Sequence, residues 1–221
     1  MANGAVPVLV GAILSQKPRL VEAGARSLKF LMQTQAQQVG AVVTAEMLAQ
    51  LVERLDADVY GVTVAELVAT VVARCCVTTS LQGVLVNSGG LQRLLTLLAS
   101  QQDKVRDAAL DAIASLTKDN VAITQQLVDL DYGSRGGQQQ QQQRSPVAMI
   151  LTLVKDLNPH TRLLASQCAT NLTKCIKDIA FVQEVKSLVL PTLLKLLDAP
   201  GSVQELTPIV LGTQHAFLSY F

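Results

Sequence analysis

The sequence predicts an all-α protein built as a solenoid of stacked helical repeats. Three observations point to this class. Apolar residues make up 49% of the 221 residues, yet only 3% are aromatic and Trp is absent, so the core must be built from aliphatic side chains. Apolar positions recur every three or four residues, as on one face of a helix, whereas the alternating runs and hairpin dipeptides of strands are scarce. The same helical pattern then returns at a regular interval along the chain.

The repeat is clearest when residues 89–116 serve as the template. A shift back by 85 places this segment on residues 4–31, and a shift forward by 56 places it on residues 145–172, with apolar positions in register. The first shift equals two units of about 42–43 residues, which predicts an intermediate unit near Ala45–Cys76. The second shift exceeds one unit by the length of Tyr132–Arg144, a Gly- and Gln-rich stretch that we interpret as a loop insertion.

This periodicity predicts how the chain is divided. Residues 1–130 should hold about three repeats, residues 131–146 the low-complexity insertion, and residues 147–221 about one and a half further repeats. Three of the seven aromatic residues lie within the last five positions, at Phe217, Tyr220 and Phe221. Because this ending departs from the aliphatic pattern, we interpret the last repeat as truncated.

Each unit has the same internal order: a short apolar helix, a break of four to six residues and a longer helix. Pro18, Asp103 and Pro159 occupy equivalent positions in the break, where the long helix should begin. Proline is tolerated there because the first N–H has no intrahelical partner, and Asp suits the positive end of the helix dipole. The stretch most similar to a membrane span, Val59–Val77, contains a Glu and an Arg, so we expect a buried or half-buried helix and no membrane insertion.

The period and the helix order are typical of armadillo and HEAT repeats, which stack into right-handed superhelices. The sequence Asn87–Leu91, with a Gly pair before a Leu-rich helix, favours the armadillo type. In such a stack the third helix of each unit lines a concave groove, and its outward positions are candidate partner contacts. By register these are Arg26, Asp111, Ser115, Lys118, Gln167, Asn171 and Lys174.

The sequence offers no catalytic, cofactor or metal site. The adjacent Cys75–Cys76 pair lacks metal spacing, and Cys168 and Cys175 share a helix face as core residues would. The two histidines are far apart in the sequence, and no Gly-rich phosphate loop precedes a helix with Lys and Ser or Thr. A net charge of +1 gives no electrostatic case for nucleic acid or an anionic membrane. We therefore predict a non-enzymatic protein, without cofactor, that binds other proteins.

A receptor for basic import signals is disfavoured within the armadillo class. Such a receptor grips its extended peptide with a repeating Asn and with Trp on the preceding turn. Only Asn171 fits that pattern, and the chain has no Trp.

Several segments together resemble one armadillo family. They are ARCC at 73–76, LQGVLVNSGGLQ at 81–92, KVRDAALDAIASL at 104–116, RLLASQCATNLTKC at 162–175 and LVLPTLLKLLDAPG at 188–201. In this order they resemble the armadillo repeat-containing protein eight family, the armadillo subunit of the GID/CTLH ubiquitin ligase, whose fungal counterpart belongs to the vacuolar import and degradation group. The resemblance extends over most of residues 4–213, although members of the family are considerably longer.

The resemblance implies a scaffold subunit without catalytic activity. It would hold the substrate receptor against the catalytic core, with that receptor and the LisH/CTLH subunits as partners, in the cytoplasm and the nucleus. The alternative is a generic armadillo adaptor outside the ubiquitin system, such as a cochaperone, exchange-factor or transport scaffold. An enzyme with an unrecognised site would need a cluster of titratable groups.

Overall fold

The computed structural model describes residues 2–34, 42–76, 78–135 and 145–198. All regular structure in these residues is α-helical, which confirms the predicted class. The helices are α1 Ala2–Ile13, α2 Pro18–Thr34, α3 Ala45–Glu53, α4 Ala57–Tyr60, α5 Val62–Cys75, α6 Thr79–Asn87, α7 Gly90–Leu98, α8 Asp103–Thr117, α9 Val121–Arg135, α10 Pro146–Leu153, α11 Pro159–Leu172 and α12 Ile179–Asp198. No described helix is long and apolar enough to span a bilayer.

The chain forms two compact units, Met1–Leu116 and Thr117–Phe221. The first holds α1 to α8 except the last residue of α8, and the second holds α9 to α12. Two predicted features, the central part of the glutamine insertion (136–144) and the aromatic C-terminus (199–221), lie outside the described residues.

The first unit is a stack of three repeats. Helices α1 and α2 pack against each other, α2 packs against α5, and α3 packs against both α5 and α6. The segment Ala45–Cys76, which the sequence predicts as an intermediate repeat, contains α3, the single turn α4, and α5. Its core is aliphatic, and α5 buries nine of its residues, which explains why a stretch that resembles a membrane span belongs to the interior of this unit.

The long helices begin where the sequence predicts. Pro18, Asp103 and Pro159 are the first residues of α2, α8 and α11, respectively. At α11 the Asn158 side chain also accepts a hydrogen bond from the His160 N–H at 3.0 Å, so one otherwise unpaired donor of the first turn has a partner.

The Gly pair of the third repeat has a steric cause. Gly89 has a φ of +79°, a left-handed conformation that favours glycine. Gly90 starts α7 directly against Leu85 of α6, and a Cβ at this position would lie 2.8 Å from the Leu85 carbonyl oxygen. Position 90 is therefore too close to α6 for a side chain.

A buried amide joins three helices of the first unit. Gln82 on α6 is only 5% exposed, and its Nε2 donates to the Ser115 carbonyl of α8 at 2.9 Å and to the Cys76 carbonyl at the end of α5 at 3.3 Å. Carbonyl groups near helix C-termini lack intrahelical donors, so this amide supplies what the helices themselves cannot.

The second unit has a more polar interior than the first. Helix α10 packs against α9 and α11, and α11 packs against α12. Among the described residues of this unit, six polar ones are buried: Thr117, Thr124, Thr161, Ser166, Thr170 and Asn171. Helix α9 continues to Arg135, within the predicted insertion 131–146, and α10 begins at Pro146.

Candidate functional site

Each long helix of the first unit presents one row of outward-facing residues. We call these three rows together the third-helix surface, because the long helices correspond to the third helix of an armadillo unit. Its members, spaced by three or four positions, are Arg19, Glu22, Arg26 and Phe30 on α2, Thr63, Glu66, Thr70 and Arg74 on α5, and Lys104, Asp107, Asp111 and Ser115 on α8. All of them are exposed or half-buried, whereas nearly all of their neighbours toward the core are buried. This surface is the candidate site for contact with another protein.

Ion pairs connect the three helices across the third-helix surface. The Lys29 ammonium of α2 lies 2.6 Å from the Glu66 carboxylate of α5. The Arg74 guanidinium of α5 lies 3.4 Å from the Asp111 carboxylate of α8. Since positive and negative groups alternate and pair, the surface shows no field of one sign.

The predicted contacts of the first unit lie on this surface. Arg26 is exposed and forms an i,i+4 ion pair with Glu22 on its own helix. Asp111 is half-buried and engaged by Arg74, and Ser115 is half-buried with its carbonyl bound to Gln82. As contacts to a partner, these three residues stay predictions.

The second unit places two predicted contacts, Lys174 and Lys118, around one charged turn after α8. The Lys174 ammonium donates to the Asp119 carboxylate at 2.9 Å, and Lys118 is the exposed residue beside it. Asp119 has a φ of +53°, uncommon for a residue other than glycine. The hydrogen bond from Lys174, followed by the charge of Lys174, lowers the pKa of Asp119. This pair therefore holds a turn whose backbone is otherwise unfavourable.

The other two predicted contacts of this unit differ in exposure. Gln167 on α11 is half-buried, as an outward position can be. Asn171 was expected to point outward, but it is only 6% exposed, and its Nδ2 donates to the Thr117 hydroxyl at 3.0 Å. That expectation is wrong because the amide is buried in the polar interior of the second unit, where the Thr117 hydroxyl accepts its hydrogen bond.

The sequence analysis missed the surface residues of the intermediate repeat. Thr63, Glu66, Thr70 and Arg74 supply the middle row, and Glu66 and Arg74 carry the two connecting ion pairs. Their signal is the polar spacing 63, 66, 70 and 74 within an otherwise apolar helix, the same spacing as 104, 107, 111 and 115 on α8.

Three of the four cysteines are core residues. Cys75 and Cys76 are both buried, and this burial raises the pKa of each thiol to about 12. Cys168 is buried too, whereas Cys175 is half-buried, with its Sγ 3.4 Å from the Val121 carbonyl oxygen. In the described part of the chain, no group of three or more His, Cys, Asp and Glu residues could hold a metal ion.

Comparison with known proteins agrees with the repeat geometry. Residues 81–118, which span α6 to α8, match the model of the Armadillo/beta-catenin-like repeat. No curated protein sequence matches the chain. The fold is that of an armadillo-type α-solenoid, as the sequence predicts.

Solved structures of designed proteins share this fold. A designed armadillo repeat protein in complex with the peptide (KR)4 superposes with a TM-score of 0.64 at 19% identity, covering 97% of this chain and 82% of that one. A computationally designed armadillo repeat protein for modular peptide recognition gives 0.63 at 19%, covering 99% and 82%. An engineered protein gives 0.64 at 19%, covering 97% and 84%.

Proposed function

We propose that this protein is a non-catalytic armadillo scaffold that binds other proteins through its third-helix surface, and that it serves in a GID/CTLH-type ubiquitin ligase. The observation that supports binding is the row of outward polar side chains on three successive long helices. Stacked repeats present such extended surfaces to partners, and their side chains can vary without loss of the core.

The charges on the surface indicate which partners fit. The designed protein bound to (KR)4 takes a strongly basic peptide. In this chain Glu66 and Asp111 are already engaged by Lys29 and Arg74, so a basic peptide would have to displace cations held within the protein. Phe30, 64% exposed at the end of the α2 row, offers an apolar contact instead. We expect a partner segment of low net charge with an apolar side chain opposite Phe30.

The assignment to the ubiquitin ligase is supported by the sequence resemblance to the armadillo repeat-containing protein eight family. On this proposal the chain positions the substrate receptor for protein degradation, contacts the LisH/CTLH subunits, and acts in the cytoplasm and the nucleus. No residue is assigned a catalytic role.

Affinity purification of the tagged full chain tests the proposal, with partners identified by mass spectrometry. A matched pair of variants locates the contact. Thr70 on the third-helix surface and Thr96 on α7 both donate to the backbone carbonyl four residues earlier, at 3.0 and 3.2 Å. We expect recovery of LisH/CTLH subunits with the wild type and with Thr96→Arg, and loss of partners with Thr70→Arg.

The outcomes separate the candidate functions. Absence of LisH/CTLH subunits, together with other partners that Thr70→Arg removes, would indicate the generic armadillo adaptor. If the same partners were recovered in equal amounts with Thr70→Arg and with Thr96→Arg, binding through the third-helix surface would be contradicted.

A further inference from the structure

Two turns of the second unit lie against each other and form one surface. Residues 118–120 join α8 to α9, and residues 173–178 join α11 to α12. The Lys174 ammonium lies 2.9 Å from the Asp119 carboxylate, and the Cys175 Sγ lies 3.4 Å from the Val121 carbonyl oxygen. The start of α9 therefore contacts the turn that leads into α12. We call residues 118–121 and 173–179 together the paired-turn surface.

Aliphatic side chains are exposed on both sides of this contact. Val121, the first residue of α9, is 59% exposed, and Ile179, the first residue of α12, is 77% exposed. Ile176, in the second turn, is half-buried. Exposed aliphatic side chains gain free energy when another surface covers them, and a group of them is typical of an interaction surface.

The turns themselves do not require these aliphatic residues. In the first unit, the connection between α5 and α6 uses hydroxyl residues: Thr78 caps α6, and the first residue of α6 is the exposed Thr79. In the paired-turn surface, Asn120 and Asp178 cap α9 and α12 through their side-chain oxygens in the same way. Capping therefore accounts for the polar residues of the two turns, whereas the exposed aliphatic residues have no such role.

Two lysines beside the aliphatic residues have charges that the fold does not use. Lys118 and Lys177 are both exposed, and within the described part of the chain neither ammonium group forms an ion pair. Lys118 belongs to the first turn and Lys177 to the second, so one cation flanks each side of the surface.

The carboxylates of the same region are already engaged inside the protein. Each of them accepts a hydrogen bond: Asp119 from Lys174, Asp178 from the Ala180 N–H and Asp129 from the Gln125 amide. A partner that brings carboxylates therefore meets ammonium groups without an ion pair, whereas a basic partner would have to displace donors held by the fold.

We infer that the paired-turn surface binds a short segment of a partner protein in which aliphatic residues are flanked by carboxylates. The aliphatic side chains of the segment cover Val121 and Ile179, and its carboxylates pair with Lys118 and Lys177. This surface belongs to the second unit and the third-helix surface belongs to the first. The inference therefore does not depend on the proposed function.

Cys175 can report on this surface in the full chain. It is half-buried beside Val121, whereas the other three cysteines are buried, so an uncharged reagent such as N-ethylmaleimide should modify Cys175 first. The probe is the peptide acetyl-DDLLDD-amide. We expect about 1 mM of this peptide to slow the modification of Cys175 at least about twofold, which corresponds to half occupancy or more. The matched peptide acetyl-NNLLNN-amide should protect less, and added salt should reduce the difference.

Matched variants of the chain locate the contact. Val121→Asp removes one aliphatic contact and adds a charge that repels the peptide, and an acidic residue is favourable in the first turn of α9. Val59→Asp is its control, since Val59 is 66% exposed in the first unit. Lys177→Glu and the control Lys155→Glu reverse the charge of exposed lysines inside and outside the surface. We expect protection of Cys175 to be lost with the two variants inside the surface and kept with the two controls.

Several results would overturn the inference. These are no protection by acetyl-DDLLDD-amide up to about 1 mM, equal protection by both peptides, and protection that Val121→Asp leaves intact. Modification of Cys175 is also measured without peptide at increasing concentrations of the chain. If it slowed for the wild type and not for Val121→Asp, the surface would belong to contact with a second copy, and the inference would be wrong.

Discussion

Replacement of Gln82 by Leu tests whether one buried amide on α6 holds the C-terminal ends of α5 and α8 together. The substitution keeps an extended side chain in the same space but removes the donor that serves the Cys76 and Ser115 carbonyls. A buried carbonyl that loses its donor costs about 1–3 kcal/mol, and the leucine regains part of this through apolar burial. We expect the free energy of unfolding of the first unit to fall by about 2–4 kcal/mol.

Hydrogen exchange measured by mass spectrometry is the appropriate assay, because units of a repeat protein can open separately. The expected loss corresponds to exchange roughly 30- to 900-fold faster in α6 and in the C-terminal turns of α5 and α8. Gln92→Leu on α7 is the control, since Gln92 is exposed. If Gln82→Leu changed exchange no more than Gln92→Leu does, the carbonyls would have other donors and the reasoning would fail.

Three further substitutions or reactions have defined outcomes. Gly90→Ala should lower the urea midpoint by the equivalent of about 1–3 kcal/mol, because its Cβ meets the backbone of α6, whereas Gly83→Ala, in open space within α6, should raise it. Asp119→Asn should remove a small stabilisation of the folded state. Because the pKa of Asp119 is lowered in the fold, its ionised carboxylate stabilises the fold at any pH above the pKa that this group has in the unfolded chain. The stabilisation is lost as the pH falls through the pKa of Asp119 in the folded protein. If the difference in the free energy of unfolding between the wild type and Asp119→Asn stayed constant from pH 7 to pH 3, this prediction would be contradicted. Ellman's reagent should modify Cys175 first in the native protein and should reach Cys75 and Cys76 only after unfolding, because burial shields these two thiols and raises the pKa of each to about 12. Rapid labelling of Cys75 and Cys76 in the native protein would contradict their burial.

The sequence predicted the fold well because each repeat satisfies the same packing rule. Apolar spacing, the Pro or Asp at the start of the long helices, and the Gly pair before α7 each have a local physical cause, and the structure confirms all of them. Asp111 lies on the outward row of α8, and this position follows from the helical period alone.

The register of the intermediate repeat could not be predicted in the same way. The outward rows are separated by 44 residues from α2 to α5 and by 41 from α5 to α8, instead of an even 42–43. An even period carries Arg26 onto Val68 or Ala69, both fully buried, whereas the outward residue is Thr70. A shift of one residue turns a side chain by about 100° around a helix, so a small irregularity hides the correct face.

Burial of Asn171 was also beyond prediction from one helix. Its equivalent on α8, Ser115, stays half-buried, and the sequence of α11 alone gives no sign of the difference. The cause is the Thr117 hydroxyl, 54 residues earlier, which pairs with the amide inside the second unit.

The two ion pairs that connect the long helices also oppose one kind of bending of the first unit. Any bending that separates α2 from α5, or α5 from α8, on this side must stretch the Lys29–Glu66 or the Arg74–Asp111 pair. Each pair resists with up to about 1 kcal/mol, and dissolved ions weaken that resistance. The resistance of the first unit to such bending therefore includes a contribution that falls as the ionic strength rises.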